Sequence, residues 1–169
     1  MDDVLPALSA RFCDVVSTPA SVMGVKAVFG PLSSHMICFG GRGERGSSAY
    51  YAVAKGAAKK AAEKPYAIFI GGGSGVRGDL GGRVLNFARV SALFGDTATF
   101  VSDAEAARLA QWPVAVALHD VWSFEGAPHL ISDLGFSDRK ILAGAQDGII
   151  RPEGKVEALW EAHGCRPRG

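Results

Sequence analysis

The chain has 169 residues, 48% of them hydrophobic and 21% charged, with a formal net charge of +1. That balance suits one globular domain with short tails and argues against wholesale disorder. No apolar run approaches the roughly 18 residues of a membrane helix. The acidic start Met1-Asp2-Asp3-Val4-Leu5-Pro6 lacks the apolar stretch of a secretory signal, so a cytoplasmic protein with no membrane partner is expected.

Val4, Leu5, Leu8, Phe12, Val15 and Val16 recur at helical spacing and predict a helix over 3–16, ended by Thr18-Pro19. Val25 to Phe29 predicts a short strand and Ser34 to Phe39 a second. A loop from Gly40 to Gly46 follows, and then Ser47 and Ser48 stand as N-caps for an alanine- and lysine-rich helix over 49–63. Lys64-Pro65 stops that helix, and Tyr66 to Ile70 predicts a strand. The glycine loop Gly71 to Gly75 runs on to Gly81-Gly82. Arg83 to Leu93 predicts a long strand and Thr97 to Val101 another, and Asp103 caps a short helix to Ala110. Pro113 to Phe124 carries the clearest strand pattern, with Val114, Val116 and Leu118 alternating. His129 to Leu134 and Arg139 to Ala145 read as short helical or turn segments, and Ile149-Ile150 as a brief strand. Pro152 and Glu153 open a last helix through Ala162. About six strands without long helices between the later ones argue an α+β fold with a curved mixed sheet.

Cys13, Cys38 and Cys165 are widely separated, odd in number and free of any CxxC pairing, so reduced thiols are expected. His35, His119, His129 and His163 lack metal-ligand spacing, so no metal site is expected. Charge is uneven along the chain. Between Arg42 and Arg89 stand nine cations and three anions, a net of +6. From Gly95 to Asp138 one cation faces seven anions, a net of −6. Either the basic segment meets phosphate, or the two segments neutralise each other across the fold.

Gly41-Arg42-Gly43-Glu44-Arg45-Gly46 matches GxGxxG between a predicted strand and a predicted helix. The next strand, however, ends in Gly71-Gly72-Gly73 rather than an acidic residue, and no second crossover helix follows. The Gly71 to Gly75 loop lacks the lysine of a phosphate-binding P-loop and reads as a turn or as a rim against which a ligand lies close to backbone. No catalytic set assembles. His119-Asp120 is the most suggestive pair, but strand neighbours point to opposite faces. Tyr50, Tyr51, Trp112, Trp122 and Phe124 sit at element ends, where they either stack a flat ligand or pack in the core; Trp160 is assigned to the core.

The element order then matters: strand Met36–Phe39, helix Ala49–Glu63, strand Tyr66–Ile70, glycine loop, and a strand carrying Gly82-Arg83-Val84-Leu85-Asn86-Phe87-Ala88-Arg89-Val90. Trp112 precedes the next strand, and Gly144-Ala145-Gln146-Asp147-Gly148-Ile149-Ile150-Arg151-Pro152 leads to the closing helix. This layout resembles the PUA-like superfamily, and within it the EVE and YTH domains. The resemblance covers roughly Ser34 to Ala162 and divides the chain into an N-terminal helix and extension (1–33), a PUA-like domain (34–163) and a tail (164–169). It implies a curved mixed sheet or pseudo-barrel flanked by helices. It also implies a non-enzymatic reader that takes a modified, often methylated, base of DNA or RNA into an aromatic pocket. Such modules often serve a larger defence or RNA-processing system. The implied base-binding residues are Arg42, Tyr50, Tyr51, Ser74, Trp112, Gln146 and Asp147, with the Asp147 carboxylate accepting a base N–H. Lys55, Lys59, Lys60, Arg77 and Arg83 would hold phosphates, with no cofactor. The chain departs from the family in its N-terminal helix, its tyrosines in place of a tryptophan and its glycine-rich first loop. The rival reading is a small α/β enzyme that binds a nucleotide phosphate through Gly41 to Gly46.

Overall fold

The computed structural model describes residues 8–28, 35–40, 47–71, 82–125 and 139–166. Among them are six strands and five helices: β1 (Leu8–Ala10), α1 (Phe12–Val15), β2 (Val22–Val28), β3 (Met36–Phe39), α2 (Ser47–Lys60), β4 (Tyr66–Gly71), β5 (Val84–Asp96), α3 (Asp103–Arg108), β6 (Val114–Phe124), α4 (Arg139–Asp147) and α5 (Lys155–Ala162). The strands form one mixed sheet in the order β1-β6-β5-β4-β2, so the α+β class holds. β4 pairs antiparallel with β5, β5 antiparallel with β6, and β2 parallel with β4. One edge of β6 is shared. Its first half pairs antiparallel with β3, Phe39 opposite Val114, and its second half pairs parallel with β1, Leu8 opposite Trp122.

Helices cover both faces of the sheet, and this is why β4 is apolar along its whole length. Along β4, Ala67 and Phe69 join the core under α2, while Ile68 and Ile70 join the core under α1, α4 and α5. The α2 sequence suits its place. Tyr50, Ala54, Ala57 and Ala58 repeat at helical spacing, all buried, and the three alanines let the helix lie close to the sheet. On the other face Phe87 meets Phe12 at 4.9 Å, Phe124 at 4.8 Å and Trp122 at 5.3 Å between ring centres. Trp160 is buried there, as expected, and donates its indole N–H to the Val16 carbonyl at 3.1 Å. Trp122 and Phe124 therefore serve packing rather than ligand stacking.

Bulges bend the long strands. On β5, Val90 pairs with Leu118 but Phe94 already pairs with Val116, so four residues on β5 span two on β6. On β6, Arg89 pairs with Asp120 and Val90 with Leu118, which leaves His119 out of the ladder. This bulge flips the alternation: Val114, Val116 and Leu118 face α2, and so does Val121. The resulting curvature brings far strands together. β2 and β3 sit at opposite ends of the pairing order, yet the Lys26 ammonium on β2 lies 5.3 Å from the centre of the Phe39 ring on β3. The sheet is thus strongly curved but is not a closed barrel.

Four expectations are corrected. The predicted helix over 3–16 is, in its described part, a strand and a four-residue helix, because the free edge of β6 captures Leu8 to Ala10. Thr97 to Thr99 is a 3-10 turn, not a strand; the Thr99 hydroxyl donates to the Asp96 carbonyl at 2.6 Å, and such local bonds compete with a ladder. The cap of α3 is Ser102, whose hydroxyl accepts from the Glu105 N–H, rather than Asp103. Finally, Cys13 and Cys165 are not free thiols. They form a disulfide across a sequence separation of 152, because α1 and the turn after α5 meet on the same face of the sheet. Sequence spacing carries no information about such a meeting. The segment His129 to Leu134 lies outside the described residues.

Candidate nucleic-acid interface

The outer face of α2 has a regular pattern. Tyr51, Lys55 and Lys59 stand four residues apart, on one side of the helix, and all are exposed, as is Lys60. Tyr51 is 45% exposed, high for a tyrosine, and its ring is held edge-on against Phe94 of β5 at 5.2 Å. The paired ring limits the rotamers Tyr51 can adopt while leaving part of its surface open. Lys59 and Lys60 end the helix, where cations also complement its dipole. An exposed aromatic in line with lysines offers stacking and phosphate neutralisation along one track.

A second neighbourhood lies at the junction of β2, β3 and α4. Lys26 is only 4% exposed and donates to the Gln146 carbonyl at 2.9 Å and to the Ala27 carbonyl at 3.3 Å. Its charge is accommodated by the carbonyl end of α4 and by the face of Phe39. Next to Phe39, Gly40 adopts φ +146°, and a Cβ there would collide with the Gln111 carbonyl and lie 2.8 Å from the Trp112 Cα. Trp112 is thereby packed beside the end of β3. At Gly148 a Cβ would lie 3.4 Å from Val53 of α2, so the end of α4 also reaches α2. Gly40→Ala is expected to cost about 1–3 kcal/mol and to shift Trp112 emission; chemical denaturation followed by tryptophan fluorescence checks both.

The predicted site residues divide accordingly. The Gln146 main-chain carbonyl reaches Lys26, the Trp112 Cα lies beside Gly40 just past Phe39, and Asp147 is the last residue of α4. Tyr50 is 3% exposed, part of the core beneath α2, and is corrected from a pocket residue to a packing residue. Its neighbour Tyr51 is the exposed one, as a helix turns successive residues through about 100°. Lys55, Lys59 and Lys60 share the α2 face, whereas Arg83 lies next to β5, where its carbonyl accepts from the Gly71 N–H at 2.8 Å. Arg42, Ser74 and Arg77 lie outside the described residues. Lys26, Phe39 and Phe94 were missed. The one available signal was a lone lysine inside the otherwise apolar Val22–Val28 run.

Catalytic alternatives gain little from the geometry. The Asp120 carboxylate faces Arg89 at 3.3 Å, and His119 is exposed on the bulge, so the two do not form a working pair. β3 pairs with β6 and runs opposite to β4, so β3, α2 and β4 do not make the parallel βαβ unit that a dinucleotide fingerprint requires. Among the described residues no group of three His, Cys, Asp or Glu could hold a metal ion. Burial pushes the Cys38 thiol above its ordinary pKa, against the opposing pull of a hydrogen bond with Thr97 and of the Lys26 charge. The fold thus favours the neutral thiol; that stability is present below the ordinary thiol pKa and is lost as pH rises through the raised value. Native Cys38 is accordingly expected to alkylate more slowly with iodoacetamide at pH 8 than in the denatured chain, as read by mass spectrometry. No helix of the described residues is long and apolar enough to cross a membrane. Comparison of the chain with family models, with curated proteins and with solved structures finds no match in any of the three.

Proposed function

We propose that the chain is a non-enzymatic nucleic-acid reader of PUA-like, EVE or YTH type that recognises a modified base in DNA or RNA. The observation that carries this reading is the α2 face, where exposed Tyr51 stands in line with Lys55 and Lys59. A backbone running along α2 meets two or three ammonium groups, and a base from it stacks on Tyr51. The curved mixed sheet with helices on it, the Gln146 main-chain carbonyl on Lys26 and the Trp112 backbone beside Gly40 support a base site next to that track. There Trp112 would stack the base, and the end of α4 at Gln146 would read its edge. Stacking contributes roughly 1–3 kcal/mol per base. Because flipping a paired base costs a few kcal/mol, single strands and modified bases are favoured. The Cys13–Cys165 bond is of the kind that persists in oxidising compartments, and it weighs against a cytoplasmic location.

The test is fluorescence anisotropy with matched modified and unmodified oligonucleotides at two salt concentrations. A preference for one modification that survives the higher salt supports a base site. Binding that is blind to modification and vanishes with salt leaves only charge attraction and sinks the reader. Trp112→Ala is expected to abolish the preference while retaining most of the salt-sensitive affinity. Undiminished discrimination by this variant would remove Trp112 from the pocket.

A further inference from the structure

We propose that the Cys13–Cys165 disulfide is a redox-operated clasp that makes the two ends of the described chain one cooperative unit. Its reduction would loosen both ends and leave the α2 face in place. Cys13 lies on α1, a helix of only four residues whose N-cap, Arg11, makes no side-chain capping bond. β1, just before it, has three residues, and its Leu8 is exposed. Elements this short do not hold themselves. They are held by packing against the chain's other end. Phe12 meets His163 at 5.6 Å, His163 stacks on Phe124 at 4.5 Å, and the Trp160 indole bonds to the Val16 carbonyl. Cys165 is buried just beyond His163, while Cys13 is half-buried.

The bond couples the ends because neither can leave the sheet without drawing the other with it. Once it is broken, each end opens on its own, at the lower cost of its own contacts. None of these contacts involves α2, which packs on the opposite face through Tyr50, Ala54, Ala57 and Ala58. The chemistry balances with a dithiol reductant. Two electrons break the S–S bond, Cys13 and Cys165 take up two protons as thiols, and the reductant closes to its own disulfide. The opening would uncover the cluster of Phe12, Phe124 and His163 as an apolar surface that exists only in the reduced protein.

The experiment is pulse hydrogen exchange on the full chain with and without dithiothreitol, beside a thiol count in denaturant. Before reduction one thiol, Cys38, is expected to react, and afterwards three. In a one-minute pulse, reduction should abolish protection across residues 8–16 and 155–166 and leave α2 and β4 to β6 protected. A Cys13→Ser/Cys165→Ser double variant should show the reduced pattern and ignore dithiothreitol. Three reactive thiols before reduction would overturn the clasp. So would unchanged protection at the two ends, or loss of protection throughout α2 and the sheet, which would make the bond a staple of the whole fold. Oligonucleotide binding enters none of these readouts, so the clasp stands or falls separately from the reader.

Discussion

Lys55→Glu/Lys59→Glu is expected to lower affinity for a single-stranded oligonucleotide by roughly ten- to a hundredfold at low salt. Two ammonium groups on the track that starts at Tyr51 become two carboxylates, so attraction to phosphate turns into repulsion. The salt dependence is the sharper readout. Each phosphate contact to a single strand contributes a slope of about −0.7 in log K against log salt. Losing two contacts should flatten the slope by about 1.4. Both side chains are exposed, so the fold should tolerate the change within about 0.5 kcal/mol, which thermal denaturation checks. Tyr51→Ala should instead reduce affinity with the slope unchanged, since stacking releases no counterions. A charge-reversed protein with wild-type affinity and slope would take α2 out of the interface.

Phe87→Ala is expected to be among the most damaging single substitutions in the chain. Phe87 is fully buried in the first half of β5 and contacts the rings of Phe12, Trp122 and Phe124. Truncation removes its transfer free energy and leaves a cavity walled by rigid rings, which collapse poorly. The cost should be about 3–5 kcal/mol, a large part of the 5–15 kcal/mol that usually holds a domain. Urea denaturation should show a lower midpoint with the slope preserved. Phe87→Leu keeps most of the volume and should cost less than half as much. Equal losses for the two would mean that the ring contacts, rather than the filled volume, set the energy.

Some of this architecture was legible in the sequence because it depends on local pattern. β4 and β6 announced themselves through short apolar runs bounded by proline and glycine, and α2 through its alanines and lysines before Lys64-Pro65. The split between Tyr50 and Tyr51 was not legible, since which of two adjacent helical residues is buried depends on which side of α2 meets the sheet. The bulge at His119 was hidden for a related reason. Strict alternation up to Leu118 gives no warning that one residue leaves the ladder and turns Val121 to the same face as Leu118.

Local pattern is enough for the α+β class, most of the strands, the α2 helix and the lysines on it, because periodicity and capping act over a few residues. Long-range packing sets the rest: β3 and β4 are not neighbours, Lys26 lies over Phe39, and Cys13 meets Cys165 across 152 positions. Those facts depend on strand order, bulges and curvature. These are settled by which surfaces bury each other, and no local stretch of sequence encodes that choice.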